Sequence, residues 1–412
     1  MRIVADLHVH SKYARATSSR CDVVGLSEGA KTKGIDVIAT GDFTHPLYFK
    51  ELKASLKEEK NGLYQYNGVN FILSTELAVT YGEVGSKKRM HHVVLAPSLE
   101  IVEQINDAMG NYGKLMEDGR PMLSISSAEL VERLEEISKD NVVIPAHAWT
   151  PWFGIFGSKT GVDSVEETFE DKADRIFALE TGLSSDPGMN WMISGLDRYS
   201  LVSNSDCHSP EKLGREGNVF ELDGLGYNEI IDAIKTRKGF VKTYEFYPEE
   251  GKYHYDGHRE CKIRWSPWES IEHDDICPVC RKKVTVGVLH RVVELADRKP
   301  GFVPENSVPF QHIVPLNIII SKVMGRGENT VAVKGAYSKL IKYFGSEFSV
   351  FEAQDEQIRI ATIPEIAEAI IKVKKADVGW LPGYDGVFGE LVLEGKGEKE
   401  IVEAKQRSLV EF

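Results

Sequence analysis

Histidines and carboxylates recur in this sequence where short apolar runs end. His8 and His10 form an HxH pair after RIVAD. Asp42 follows DVIAT in TGDFTH, and Glu76 follows FILS. His92 opens HVVLA beside His91. His147 follows VVIP in PAHAW. Asp206 and His208 form a DxH pair after LVSN. Alternate residues of a strand point to one face, so both imidazoles of an HxH pair can meet one ion. A single histidine at a strand end is commonly a hydrogen-bonded packing residue. Two such pairs, with Glu76 and His147 in the same register, point instead to a carboxylate–imidazole metal centre. An ion held this way acts as a Lewis acid and lowers the pKa of a bound water. The ligand types suit zinc or manganese, with magnesium as the remaining candidate. Lys12 and Arg15 are candidates to neutralise phosphate charge; a solvated loop is the competing reading for each.

A second constellation involves sulfur. Cys277-Pro-Val-Cys280 is a CxxC knuckle, and His258-x-x-Cys261 supplies a matching half. HxxC…CxxC fits a zinc site closed by four protein ligands, which is structural because no position is left open. His254 is the rival for the histidine ligand. The chain has five cysteines, the other two being Cys21 and Cys207. An odd number with three clustered fits a reducing cytosol better than disulfides, so a cytoplasmic protein is expected. No signal-peptide run follows Met1. No apolar run approaches the roughly 20 residues of a membrane span, and PLNIIISKVM breaks at Ser321 and Lys322.

Net charge is −13, which by itself argues against a protein that coats nucleic acid. The distribution alters that conclusion. Residues 1–250 and 351–412 are acidic, whereas 251–350 carry a positive excess. Arg259, Arg281, Lys282, Lys283, Arg291, Arg298 and Lys299 lie in that middle segment and are candidates to grip phosphates. The glycine-rich loop after His147 holds Trp149, Trp152, Phe153 and Phe156. It reads either as an aromatic wall for an extruded base or as packing against the sheet. The chain ends KQRSLVEF, in which Gln406, Leu409 and Phe412 fit Q-x-x-L-x-x-F. That pattern resembles a sliding-clamp binding box: one helical turn puts Leu409 and Phe412 on one face, with Gln406 hydrogen-bonding beside them.

Elements must position these groups. At about 150 residues per domain, 412 residues suggest two to three domains. The 42% hydrophobic content is enough for a full core. Strands are predicted at 2–6, 36–40, 71–74, 92–96, 142–145 and 201–204. Helices are predicted at 22–34, 100–110, 127–139 and 227–238 from three-to-four apolar spacing, the third capped near Ser126–Ser127. Repeated βα units predict an α/β fold with a parallel sheet, open or closed into a barrel, whose ligands gather at the strand C-termini. The pattern stops near 246. Residues 300–395 read as mostly helical, notably 335–344 and 364–376.

DLHVHS, TGDFTH, STE, HVVLA, PAHAW and SNSDCHS together resemble the motifs of the polymerase-and-histidinol-phosphatase (PHP) superfamily. The resemblance spans about the first 210 residues. It implies a distorted (β/α)7 barrel with two or three metal ions. His8, His10, Glu76 and Asp206 would hold one ion and form the catalytic set. Glu76 would bridge to a second ion held with His92 and His147. Asp42 and His208 would serve a third site. Many members carry a further histidine soon after the HxH pair; here that stretch is SKYARAT, leaving His45 as the substitute.

Beyond the barrel, GKYHYDGHREC, CPVC and VTVGVLHRVVELADR resemble the archaeal endonuclease Q family along essentially the whole chain. That resemblance implies a PHP barrel over 1–245, a zinc module over 246–300, a helical DNA-contacting domain over 301–395 and a clamp-binding tail over 396–412. It implies a DNA repair endonuclease cutting 5′ to deaminated bases (uracil, hypoxanthine, xanthine) and abasic sites, leaving 3′-hydroxyl and 5′-phosphate ends. Trp149, Trp152, Phe153, Arg281, Lys282 and Lys283 would meet the substrate. The competing functions are a PHP-type small-molecule phosphatase and a catalytically silent PHP binding module.

Overall fold

The computed structural model describes residues 1–59, 61–83 and 87–393. It is a mixed α/β fold with a large central mixed sheet. Seven strands matter for the site: β1 (Arg2–Asp6), β2 (Val37–Ala39), β3 (Val69–Tyr81), β4 (Lys88–Ala96), β5 (Val142–Pro145), β6 (Ala178–Glu180) and β7 (Ser200–Val202). β1 and β2 pair in parallel, as do β2 and β3. β4 runs antiparallel to both β3 and β5. β6 and β7 form a separate parallel pair. Single contacts tie that pair to the rest. The Ala148 N–H donates to Glu180 O at 3.0 Å, and the Asp206 N–H donates to His8 O at 3.0 Å. On the other edge of β1, β8 (Gly217–Glu221) and β9 (Phe240–Glu245) continue the sheet antiparallel.

The parallel sheet expected from the βα repeats therefore holds only in part. Just six residues separate β3 from β4. A parallel return needs a crossover of a dozen or more residues, so this pair has to be antiparallel. β3 is also longer than the FILS segment suggests, and β6, β8 and β9 carry no strong turn or alternation signal. The helices lie close to their predicted ranges. One spans Val23–Lys33, capped by the Asp22 side chain, which accepts from the Gly25 N–H. Another spans Ser127–Ile137, capped by Ser126, which accepts from the Glu129 N–H. Leu99–Met109 and Tyr227–Thr236 complete the set. Each closes one face of the sheet with its apolar stripe. Ile3, Ile38, Phe71, Leu95 and Ile144 are buried in the core beneath the site.

The chain divides into two compact units. The first comprises residues 1–182, 187–245 and 295–311; the second comprises 183–186, 246–294 and 312–412. Residues 295–311 thus pack with the strands of the first unit. Arg298 makes a two-point ion pair with Asp197 at 2.8 and 2.6 Å, and Asp297 accepts from the Ser194 N–H at 2.8 Å. Within the second unit, Asp256–His258 and Ile263–Trp265 form a hairpin beside a small core of Trp265, Cys277 and Val284. Helices Leu316–Met324, Val331–Phe344 and Pro364–Lys374 bury Leu316, Ile320, Leu340, Ile366 and Ile370 together. Among the described residues no helix is long and apolar enough to cross a membrane. Gln406, Leu409 and Phe412 lie outside the described residues.

Candidate metal centre

Three overlapping groups each bring ligand atoms within 4.8 Å of one another. They are His8, His10 and Glu76; His10, Asp206 and His208; and Glu76, His91 and His147. His10 and Glu76 are shared, so the groups form one continuous chain of ligands. His8 and His10 project from the end of β1, Glu76 from the middle of β3, and Asp206 and His208 from just beyond β7. Asp42, His147 and Asp206 all have left-handed backbone, with φ of 45°, 31° and 45°. Non-glycine residues hold such φ values only where their surroundings over-determine them.

Surrounding carboxylates aim the imidazoles. His8 Nδ1 donates to Glu180 Oε1 and Oε2 at 3.1 and 3.0 Å. His10 Nδ1 donates to Asp42 Oδ1 at 2.9 Å. Both Nε2 atoms are thereby turned inward, where they and Asp206 Oδ1 are buried with no well-aligned hydrogen bond, while His10 Nε2 lies 3.0 Å from Asp206 Oδ1 and 3.3 Å from Glu76 Oε2. Glu180 itself is fixed by the His147 N–H and the Asn204 side-chain amide, both at 2.8 Å. Burial would lower the pKa of His8 and His10, but Glu180 and Glu76 beside the first, and Asp42 and Asp206 beside the second, raise both well above the ordinary value. Burial would raise Glu76, but His91 and His10 outweigh it and hold the carboxyl well below its usual range. Orphaned nitrogens and an orphaned carboxylate oxygen converging on fully ionised carboxylates form a donor set that fits divalent cations.

The structure rearranges several sequence expectations. His92 is not in the chain of ligands; His91 is. Glu76 pairs with Val93 across the β3–β4 ladder. Side chains alternate along a strand, so His91 shares the Glu76 face and His92 points away. His92 Nε2 instead meets Ser127 Oγ at 2.8 Å and its ring packs on Phe169. Burial lowers its pKa to about 3, against about 4 for His91, where the Glu76 carboxylate partly offsets burial. Asp42 holds His10 and belongs to none of the three groups, while His208 does join them. His45 stacks on Tyr13 at 4.3 Å and is outside the groups. Glu180 escaped the sequence analysis. Its signal was an acidic residue closing a short apolar run, FALE, in the same strand-end register as the others.

In the aromatic loop, Trp149 and Phe156 pack on one another at 4.8 Å, and Trp149 Nε1 donates to Asn190 at 2.8 Å. Both are buried. Phe153 lies over His91 at 4.3 Å, and Trp152 is 49% exposed. Within the loop, Trp149 and Phe156 pack, Phe153 lies beside the ligand groups over His91, and Trp152 is at the molecular surface. Lys12 is engaged by Glu51 at 2.9 Å. Arg281, Lys282, Lys283, Arg259 and Lys299 are exposed, whereas Arg291 is partly buried beside Glu294 and Arg298 is tied to Asp197.

In the second unit, ligand atoms of His258, Cys261, Cys277 and Cys280 lie within 4.8 Å of one another. Cys280 Sγ is 3.8 Å from His258 Nε2. His254, the rival, is buried against Tyr255 and does not join them. The Arg281 N–H donates to Cys277 O at 2.9 Å with φ of 62° at Arg281, a tight turn around the knuckle. Burial would raise the Cys277 thiol, but the N–H groups of Cys280 and Val279 outweigh it and lower its pKa. Three sulfurs and one imidazole nitrogen converging in this way fit a closed tetrahedral ion.

A solved structure covers this whole arrangement. The lesion-specific endonuclease PfuEndoQ of Pyrococcus furiosus matches with a TM-score of 0.86 and 31% identity, over 98% of this chain and 99% of that one. The chain belongs to the endonuclease Q family. A second structure, of endonuclease Q with a 27-mer duplex carrying an abasic lesion at the active site, matches with a TM-score of 0.84 and 31% identity over 97% of this chain and all of the other. Residues 315–377 match the family model of the MJ0043 C-terminal domain. The Methanocaldococcus jannaschii protein MJ0043 is 33% identical over 255 residues, which is 60% of this chain and 31% of that protein. The chain therefore spans about a third of that relative's length. The linked ligand groups and the cysteine–histidine cluster of this family member fall in different units of the chain and differ in ligand type.

Proposed function

We propose that this family member is a metal-dependent DNA repair endonuclease. It hydrolyses the phosphodiester 5′ to deaminated bases (uracil, hypoxanthine, xanthine) and to abasic sites. The observation that carries the reading is the unbroken chain of ligands from His8 to His147, with His8 Nε2, His10 Nε2 and Asp206 Oδ1 buried and unsatisfied at its centre. The duplex at the active site of the second endonuclease Q structure supports damaged DNA as the partner. The circuit of contacts through β1–β7 supports a distorted (β/α)7 PHP barrel.

His8, His10, Glu76, Asp206 and His208 would hold ions on one side, and Glu76, His91 and His147 on the other. Zinc, or else manganese or magnesium, would supply an ionised water and a Lewis acid for the phosphoryl oxygen. The protein's own part is orientation. Glu180 and Asp42 keep each Nδ1 protonated, so each Nε2 lone pair faces inward. Trp152 and Phe153 offer aromatic surface for an extruded nucleotide beside His91. Arg281, Lys282 and Lys283 would track backbone phosphates. His258, Cys261, Cys277 and Cys280 would hold a structural zinc. A sliding clamp would be met through Gln406, Leu409 and Phe412.

The test is cleavage of a labelled duplex with one deoxyuridine, with and without chelator, beside a His8→Ala/Asp206→Ala variant. Nicking 5′ to the uracil that chelator and the double substitution abolish is the expected result. Hydrolysis of small phosphomonoesters with no nicking would assign the chain to phosphatase chemistry instead.

A further inference from the structure

A cleft of about 740 Å³ opens beside the chain of ligands, lined by Arg15, His91, Tyr112, Lys114, Arg120 and Phe153 among others. Arg120 stands apart from the other cations there. Its Nη1–H donates to Glu76 Oε2 at 3.2 Å, and its side chain is 24% exposed. An arginine carries five N–H donors. Among the described residues the other four donors of Arg120 have no protein acceptor. A guanidinium this enclosed with this many unused donors is arranged for something the protein does not supply.

Its backbone is held tightly. The Arg120 N–H donates to Asp118 Oδ1 at 3.0 Å, and the same oxygen accepts from the Arg15 N–H at 3.2 Å. The preceding Gly119 N–H donates to Tyr13 O at 3.0 Å. A Cβ at Gly119 would lie 2.6 Å from Asp42 Oδ2, so only glycine lets this segment come so near the carboxylate that orients His10.

We propose that Arg120 is the phosphate-binding arginine of this site. With Glu76 engaged as a ligand, its carboxylate charge is neutralised elsewhere and the guanidinium turns from Glu76 to the scissile phosphate. There the planar fork donates to two non-bridging oxygens at once. This rests on the phosphoester chemistry proposed above and on no choice of lesion.

The experiment compares the full-length wild type with Arg120→Ala and Arg120→Lys, each loaded with manganese and assayed for bound metal by elemental analysis. Inorganic phosphate is then titrated by calorimetry, and steady-state cleavage of the deoxyuridine duplex is measured in parallel. Arg120→Ala should keep wild-type metal content, bind phosphate about tenfold or more weakly, and lose about 10²–10³-fold in kcat/KM. Arg120→Lys should fold as the wild type does and recover part of the affinity, because it restores the charge without the fork. Unchanged phosphate affinity in both variants would overturn the assignment. So would loss of metal from Arg120→Lys, which would make the arginine a support for Glu76. The phosphate titration is independent of nicking, so a wild type that binds phosphate through Arg120 yet cuts no lesion duplex would sink the nuclease reading and leave this one standing.

Discussion

His91 and His92 are chain neighbours with opposite surroundings, and this pair offers the sharpest test at the scale of single residues. His91 Nδ1 is 2.7 Å from Glu76 Oε1 on the ligand face. His92 faces Ser127 and Phe169. His91→Ala is expected to lower metal-dependent cleavage by about 10²-fold or more with little change in unfolding midpoint. His92→Ala should do the reverse, costing about 1–3 kcal/mol of stability through the lost hydrogen bond and the space left behind. Equal losses of activity in the two variants would contradict the strand parity. Glu180→Gln is the second test. An amide cannot accept at both oxygens, so one of its three donors (His8, His147 N–H or Asn204) is left facing an NH2. A 10–100-fold loss of metal affinity, read by titration of stripped protein, is the expected effect. HxH and DxH were legible from residue type and strand-end position, and Glu76 from residue type alone, since it lies in the middle of β3 rather than at the end of a FILS strand. The choice of His91 over His92 was not, because the parity of β4 depends on its register with β3 rather than on its own sequence.

At the scale of elements, the cysteine hairpin should behave as a unit. Its apolar core is small, with Trp265, Cys277 and Val284 buried. Such a core cannot offset the entropy of ordering the segment without an ion. Cys280→Ser is therefore expected to remove one bound zinc per chain and to open residues 256–285 to protease, while the metal groups of the first unit keep their occupancy. Retention of the full zinc complement would refute the assignment. His254, next to this hairpin, gives a pH prediction. Burial lowers its pKa from 6.5 to about 4, with the Asp186 carboxylate opposing. A group depressed in the folded state binds protons more readily when unfolded, so stability is present above pH 6.5 and is lost as pH falls toward 4. The loss is on the order of 3 kcal/mol for one fully buried imidazole. Denaturant unfolding of His254→Phe should show a shallower decline across that window than the wild type; parallel declines would rule the histidine out as the cause. The helices were readable from apolar spacing and caps such as Ser126. The strands β6, β8 and β9 were not, since runs this short show no regular alternation of buried and exposed residues.

For the molecule as a whole, the acidic first segment and the positive middle one predict that DNA binding depends on a few local cations rather than on net charge. Removing residues 406–412 is expected to abolish binding to a sliding clamp while leaving cleavage of bare lesion DNA unchanged. Clamp binding that survives the truncation would locate the contact elsewhere. The sequence by itself determined which residue types carry the chemistry, that an HxxC half and a CxxC half were present to meet, and that charge sorts by segment. These follow from spacing over a few residues and from composition, which need no tertiary contact. The tertiary structure alone decided that His91 rather than His92 faces Glu76, that Asp42 orients His10, and that Glu180 and Arg120 contact the candidate ligands. Those facts join residues from 15 to 172 positions apart, through ladder register and loop closure. Local sequence does not encode such distances; the packing of many strands at once does.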